Sequence, residues 1–234
     1  MDHWGEVTKV ETTRGLVKRL RMADVVAIDT ETTDCDPNKE SPVGRAKLWC
    51  VTFAWRDKLS AGNEISRAFV STEDICPELV AWLEDPKALK VGTNLLGYDR
   101  HVFANHGIHL RGVLGDTLGM SRLLNPSKLE RHGLKAWGEK LGFETVAFSS
   151  LAGVPWKGKQ RCYKLDRVKD GVSYTAGALF NDVDFSRQQQ LSLTELWQHY
   201  PAKRQEIVHY ATQDAEMSLV VYEHLQKQLQ QRGW

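Results

Sequence analysis

Residues 24–30, DVVAIDT, are the stretch that most limits how this chain can fold. Four consecutive apolar residues, mostly β-branched, are followed by polar ones, which predicts a short strand buried within a sheet. Asp29 and Glu31 stand at the exit of this strand. Because alternate residues of an extended chain share a face, the two carboxylates point the same way. They repel each other unless a cation lies between them, so the pair indicates a metal site, with a solvated turn as the alternative.

The rest of the chain alternates between strand patterns and helix patterns. Apolar runs and turn residues predict four further strands, over 47–55, 66–70, 88–94 and 112–117. Helical spacing and end signals predict helices over 13–22, 71–83, 98–108, 118–126, 132–143 and 201–231. Three antiparallel-looking strands followed by alternating strands and helices predict an α/β fold with a sheet of about five strands.

The length of 234 residues suits a single domain over 1–234. Between 144 and 192 the periodicity fades and Gly, Ser, Asp and Lys accumulate, which is typical of an inserted, mobile or functional tract. Inside it, residues 157–170 carry six Lys or Arg against two Asp. This segment suits either a surface that guides a nucleic-acid strand or a solvated loop.

Composition excludes several classes of protein. A net charge of +1 excludes a protein that coats nucleic acid by bulk charge alone, although local basic patches remain compatible with it. The first ten residues, MDHWGEVTKV, lack the apolar core of an export signal, and no run of residues is long and apolar enough to span a membrane. The four cysteines are scattered, as in a reduced protein. We therefore expect a cytoplasmic protein.

Two further acids are candidates for the same metal site. Asp99 begins a predicted helix, where an acid also suits the helix dipole without any metal. Asp214 lies in the long C-terminal helix, on the same apolar stripe as Ile207, Tyr210 and Met217. A buried aspartate needs a strong partner, which a shared metal would supply. The alternative is a half-exposed aspartate at the edge of the stripe.

The order Asp29, Glu31, Asp99 and Asp214 resembles the DEDD superfamily of 3′–5′ exonucleases, which is DnaQ-like. TNLLGYDRHVFANHGI is similar to the second motif of that family. GDTLGMSRLL, HGLKAWGEKLG and YATQDAE resemble the proofreading domain of phage family A DNA polymerases, which belong to the DEDDy type. The resemblance covers about 24–143 and 193–226. It implies a ribonuclease H-like fold, with a mixed sheet of about five strands flanked by helices.

The resemblance also implies a two-metal hydrolysis. Asp29, Glu31 and Asp214 would hold one divalent ion, Asp29 would bridge to a second, and Asp99 would reach the second directly or through water. Oxygen ligands of this kind suit Mg²⁺, with Mn²⁺ as a workable substitute. The implied activity is the release of 5′-nucleoside monophosphates from the 3′ end of DNA, with a single-stranded 3′ end as the expected substrate. A separately encoded DNA polymerase is a candidate partner.

Either His209 or Tyr210 could orient the attacking water. Four residues of a helix advance by about 400°, so Tyr210 lies within about 40° of Asp214, whereas His209 lies about 140° away. PAKRQEIVHY reads as unbroken helix through both residues. The geometry therefore favours Tyr210 and suggests an exposed position for His209. The hydroxyl of Tyr210 would orient water rather than act as a base, because the pKa of tyrosine is about 10.

Substrate contacts are less constrained by the sequence. Thr30 and Thr32 border the acids and could hold the terminal nucleotide, or they could simply favour a strand. Asn94 could bind substrate or tie its own loop. Cys35 stands where related polymerases carry an apolar wedge, often Leu, and its smaller side chain puts the strength of base separation in doubt.

Two other functions remain compatible with these residues. An RNA-trimming exonuclease of the same superfamily would use the same four acids. A non-catalytic module that binds nucleic acid or tethers a polymerase could keep the fold, although such modules usually lose their carboxylates.

Overall fold

The computed structural model describes residues 13–33, 40–60, 64–127, 131–143, 153–155, 188–190 and 193–234. The chain divides into two compact units, one formed by Met1–Thr145 with Gln205–Trp234 and the other by Val146–Arg204. A single domain over 1–234 with an inserted tract at 144–192 stays a prediction. Cys35 and the basic segment 157–170 lie outside the described residues.

The first unit is built on a five-stranded sheet. Its strands are β1 (Val26–Thr33), β2 (Lys47–Arg56), β3 (Ile65–Ser71), β4 (Lys90–Gly92) and β5 (Val113–Asp116). They lie in the order β3-β2-β1-β4-β5, with β1, β2 and β3 antiparallel and β1, β4 and β5 parallel. The predicted α/β class and mixed five-stranded sheet are confirmed.

Among the described residues before 144, the strands are connected or flanked by the helices α1 (Thr13–Leu20), α2 (Pro77–Leu83), α3 (Asp99–Asn105), α4 (Thr117–Leu124) and α5 (Leu134–Leu141). The prediction that a helix starts at residue 71 was wrong. Ser71 closes β3, a 3₁₀ turn spans Thr72–Asp74, and α2 begins only at Pro77. The reason is local, because a residue that precedes proline avoids the helical region, and Cys76 has a ψ of 161°.

The second unit contains short elements that the sequence patterns did not reveal. β6 (Gly153–Pro155) pairs antiparallel with β7 (Gln188–Gln190), and α6 (Leu193–His199) is followed by a 3₁₀ turn at Pro201–Lys203. The guanidinium of Arg204 donates to the carbonyl of Trp197 at 3.1 Å and lies over its ring. The triplet of glutamines in β7 has no apolar alternation, and α6 has only seven residues, so neither carries a clear periodic signal.

The last helix, α7 (Arg204–Gln231), starts three residues later than predicted, because Pro201–Lys203 form the preceding 3₁₀ turn. It packs on the sheet through small and branched residues, with Ala27, Ala54 and Val91 clustered against Ala215, Leu219 and Tyr222. In the described part of the chain, no helix is apolar over a length that could cross a membrane.

Strand alternation explains why the acids of β1 point toward α7. Ala27 contacts α7, whereas Ile28 joins the core formed with α1, α2 and α3 on the other face of the sheet. Asp29 and Glu31 are two and four residues beyond Ala27, so they continue its face. The apolar start of β1 therefore packs against α7, and the acids at its polar end lie beside that contact.

Ion pairs fix α7 along its other flank. Arg67 of β3 is only 1% exposed and its Nη1 lies 2.9 Å from Glu216 Oε2. Arg56 of β2 donates from Nε and Nη2 to the two carboxylate oxygens of Glu223, at 3.0 and 2.8 Å. Glu216 and Glu223 are seven residues apart, so they lie on the same side of the helix. These pairs restrain the rotation of α7 about its own axis.

Gly92 gives a test of the close approach between β4 and β1. A Cβ atom at this position would lie 2.7 Å from the carbonyl oxygen of Ile28 and 3.3 Å from Leu95 Cβ. We expect Gly92→Ala to lower the free energy of unfolding by about 1–3 kcal/mol, since a strand must shift to admit the methyl group. Urea denaturation measures the change.

Gly119→Ala is the matched control, because its Cβ would meet no atom within 4 Å and it occupies an exposed position of α4. This variant should gain up to about 1 kcal/mol from the better helix propensity of alanine. Equal effects at the two glycines would contradict the tight contact between β1 and β4.

Candidate active site

Asp29 and Glu31 occupy the last half of β1, and both are half-buried. The pairing with β2 is irregular between Glu31 and Thr32, which marks the end of regular strand geometry at the acids. Burial raises the pKa of Asp29 well above its usual range, with further contributions from the charges of Asp99, Asp214 and Glu31. Burial, followed by Asp214 and Asp99, raises the pKa of Glu31 to about 8. The two acids therefore share an electrostatic environment with Asp99 and Asp214.

Asp99 is the first residue of α3 and is 3% exposed. Its Oδ1 accepts hydrogen bonds from the backbone N of Thr30 at 3.0 Å and from Thr30 Oγ1 at 2.6 Å. Burial raises the pKa of Asp99 to about 7, although the hydrogen bonds from Thr30 act in the opposite direction. Thr30 thus ties α3 to β1. Its hydroxyl positions Asp99 in this structure, and the substrate contact predicted for Thr30 stays a prediction.

Asp116 holds the loop that leads into α3. Its carboxylate accepts hydrogen bonds from the backbone N of Asn94, Leu96 and Leu118, each at 3.0 Å. Asn94 itself has a φ of 59°, a left-handed turn conformation that asparagine tolerates. Of the two roles considered for Asn94, this geometry supports the tying of the loop. Asp116 was missed by the sequence analysis, although an aspartate directly before a helix is a recognisable cap signal.

α7 contributes Asp214 and Tyr210, and the helix is continuous through both. Burial raises the pKa of Asp214 to about 6, and the positive charge of Lys135 opposes the shift. The pKa of Tyr210 is raised above its ordinary value by burial and then by the charges of Glu31, Asp214 and Asp29. The phenol therefore lies within electrostatic reach of three of the four acids and remains protonated at neutral pH.

His209 faces different groups from its neighbour. Its pKa is lowered, first by burial and then by the positive charge of Arg67. The side chain is half-buried, so the predicted exposed position was wrong. The reason is tertiary: His209 is seven residues before Glu216, on the side of α7 that carries the ion pair with Arg67.

Among the described residues, two hydroxyl groups and a thiol also lie near the acids. Thr32 Oγ1 and Tyr98 Oη are 2.8 Å apart, which joins β1 to the start of α3. Cys50 lies opposite Glu31 in the β1–β2 pairing and is buried. Burial and the charge of Glu31 raise the pKa of the Cys50 thiol well above its usual range, which makes it an unreactive thiol in the wall of the site.

The donor set of the cluster suits a hard divalent cation. Four acids from β1, α3 and α7 have pKa values raised by burial, and the charges of Asp99 and Asp214 raise the pKa values of the two acids of β1 further. Oxygen ligands are those that Mg²⁺ and Mn²⁺ prefer. Among the described residues, no group of three or more His, Cys, Asp or Glu side chains is arranged so that it could hold a metal ion. One oxygen of Asp99 is engaged by Thr30. The fit therefore rests on the chemistry of the donors and their shared electrostatics.

Similarity to known proteins agrees with this arrangement. A sequence model described as a 3′–5′ exonuclease matches residues 5–152. The fold is similar to that of Escherichia coli RNase D, with a TM-score of 0.54 and 16% identity over 98% of this chain and 47% of the other. That likeness supports the ribonuclease H-like fold.

Among curated proteins, the chain is 34% identical to DNA polymerase I of Pseudomonas aeruginosa over an alignment of 146 positions that covers 58% of this chain and 15% of the polymerase. It is 26% identical to DNA polymerase I A of Oryza sativa over an alignment of 252 positions, gaps included, that covers 97% of this chain and 22% of the polymerase. The chain thus spans between 15% and 22% of the length of these relatives. It belongs to the 3′–5′ exonuclease family of the DEDD type, in the branch that resembles the exonuclease domain of DNA polymerase I.

Proposed function

We propose that this chain is a divalent-metal-dependent 3′–5′ exodeoxyribonuclease that removes 5′-nucleoside monophosphates from single-stranded DNA 3′ ends. The observation that carries the proposal is the cluster formed by Asp29, Glu31, Asp99 and Asp214, whose pKa values are raised by burial and, for the two acids of β1, by the charges of the others. So many ionisable oxygens in a poorly solvated place need positive charge to stay ionised.

The four acids would hold two divalent ions, Mg²⁺ or Mn²⁺, which when bound lower the pKa of a water and stabilise the leaving 3′ oxygen. The chain's own residues then have distinct tasks. Thr30 fixes the orientation of Asp99 through two hydrogen bonds. The protonated hydroxyl of Tyr210 donates to or orients the attacking water, because its raised pKa excludes a role as a base at neutral pH.

DNA is the substrate that the similarity supports best. The relatives of 34% and 26% identity are DNA polymerases, whose substrate is DNA by name. The same relatives support a DNA polymerase as the partner that we propose. An RNA-trimming exonuclease and a non-catalytic binding module are the two alternatives, and a cleavage assay on DNA and RNA distinguishes them.

Replacing one acid tests the assignment of the site. We expect Asp29→Asn to abolish the Mg²⁺-dependent, stepwise shortening of end-labelled single-stranded DNA. The reason is that the variant loses the acid whose pKa is raised by the charges of all three others. Its thermal midpoint should rise, since the substitution removes like-charge repulsion. A loss of activity with a gain of stability cannot be explained by misfolding.

Asp24→Asn is the control, because this exposed aspartate precedes the same strand and pairs with Lys58. It should cut DNA at the wild-type rate. Activity that survives in Asp29→Asn would show that the site is wrongly assigned. Wild-type protein that cuts RNA alone would replace the proposal with an exoribonuclease, and cutting of neither polymer in Mg²⁺ or Mn²⁺ would leave a binding module.

A second prediction separates Tyr210 from His209. Tyr210→Phe should slow turnover by roughly 10–10³-fold, comparable to the loss of one hydrogen bond that positions a reacting group. Single-turnover kinetics on the same labelled DNA measures the effect. Tyr222→Phe is the matched control on the same helix, because Tyr222 packs against the sheet, and it should turn over like wild type. If His209→Ala proved the crippling change and Tyr210→Phe did not, the orientation assigned to α7 would be wrong.

A further inference from the structure

A preformed cavity of about 210 Å³ lies between α4, α5 and the end of α7, and the catalytic proposal does not use it. Its wall is held by a chain of hydrogen bonds. Trp137 Nε1 donates to Ser121 Oγ at 2.9 Å, and Ser121 Oγ lies 2.8 Å from His132 Nδ1. His132 Nε2 lies 3.3 Å from the carbonyl oxygen of Ser127 and donates to it, so Nδ1 of the neutral ring accepts the proton of Ser121. The wall is therefore rigid before any ligand arrives.

The lining of this α4–α5–α7 cavity is suited to an anion. Lys140 and Arg232 both line it, together with the amide side chains of Asn125 and Gln228. Arg232 Nη1 donates to the carbonyl of Leu124 at 2.7 Å, which anchors a guanidinium that has five donors in all. Among the described residues that line the cavity, none is a carboxylate.

The separation of the cavity from the acids can be measured along α7, which contributes a residue to each. Gln228 follows Asp214 by fourteen residues on the same helix, which places it about 21 Å along the axis. Between them, α5 packs on α7 through Leu134 and Trp137. The exposed Lys135, in the first turn of α5, is close enough to lower the pKa of Asp214. A strand that runs from the acids to the cavity would therefore pass the positive charge of Lys135 first and reach those of Lys140 and Arg232 at the cavity.

We propose that the α4–α5–α7 cavity binds a backbone phosphate of the substrate strand, several nucleotides upstream of the 3′ end. The proposal rests on the proposed function, because it assumes that the strand's 3′ end lies at the acids. At about 3.4 Å per stacked nucleotide, 21 Å corresponds to roughly six nucleotides. A short strand that fills the acids cannot reach the cavity, whereas a longer one can.

Strand length gives the test. The double variant Lys140→Ala, Arg232→Gln is compared with the double variant Lys18→Ala, Lys87→Ala, which removes the same charge from exposed residues outside the cavity. Both are made in the Asp29→Asn background, so that binding is read without cleavage. Fluorescence anisotropy measures the affinity for a labelled DNA strand of about 12 nucleotides, which spans about 41 Å, and for a labelled trinucleotide.

The cavity variant should bind the long strand about tenfold more weakly or worse, the cost of losing hydrogen bonds between charged groups. Its plot of log affinity against log salt should be shallower by about 0.7, the share of one phosphate contact on a single strand. Trinucleotide binding should stay unchanged, and the Lys18, Lys87 variant should match its parent on both strands. Thermal unfolding confirms that both variants fold.

An unchanged affinity for the long strand, or equal weakening for both strands, would overturn the proposal. So would a parent protein that binds no DNA. A parent that binds the long strand through the cavity, combined with a wild type that cuts nothing, would sink the proposed function and leave the phosphate site standing.

Discussion

The interaction on which this structure depends is the repulsion among four carboxylates that the fold brings together from β1, α3 and α7. Burial is the largest contribution to each raised pKa, which is about 8 for Glu31, about 7 for Asp99 and about 6 for Asp214. Water is too scarce around these groups to stabilise their charges, so the packing of the sheet and helices offsets the repulsion. Such an arrangement is unfavourable as a structural element alone, and a bound cation turns it into a favourable one.

The direction of each side chain on α7 determines which residues of that helix face the acids. Successive residues of a helix point about 100° apart. Asp214 points to the acids, Ala215 packs on the small residues of the sheet, and Glu216 pairs with the buried Arg67. Three consecutive residues thus define three sides of one helix. The same rotation brings Tyr210 to the acids and His209 to the side of Arg67. The role that we propose for Tyr210 therefore depends on the same helix rotation that forms the ion pair on the opposite side.

Local patterns predicted what depends on local chemistry. The apolar run before Asp29 predicted a buried strand with acids at its exit, and helical periodicity predicted that Tyr210 would share a face with Asp214. Roles that depend on distant partners were not accessible. Thr30 is engaged by Asp99, 69 residues away in the chain, and the burial of His209 depends on Arg67 in another strand. The delayed start of α2 was a misjudged local signal at Pro77, and β7 is a polar triplet without any period.

The most direct test of the central claim measures thermal stability against pH, with and without Mg²⁺. Because folded-state pKa values of the acids are raised, the metal-free native protein binds more protons than the unfolded chain between about pH 4 and 8. Its stability should fall as pH rises from 5 to 8. Saturating Mg²⁺ should raise the midpoint by about 5 °C or more at pH 8 and by less at pH 5, and Glu31→Gln should reduce the gain. No Mg²⁺ effect at pH 8, or one that Glu31→Gln leaves intact, would contradict the account.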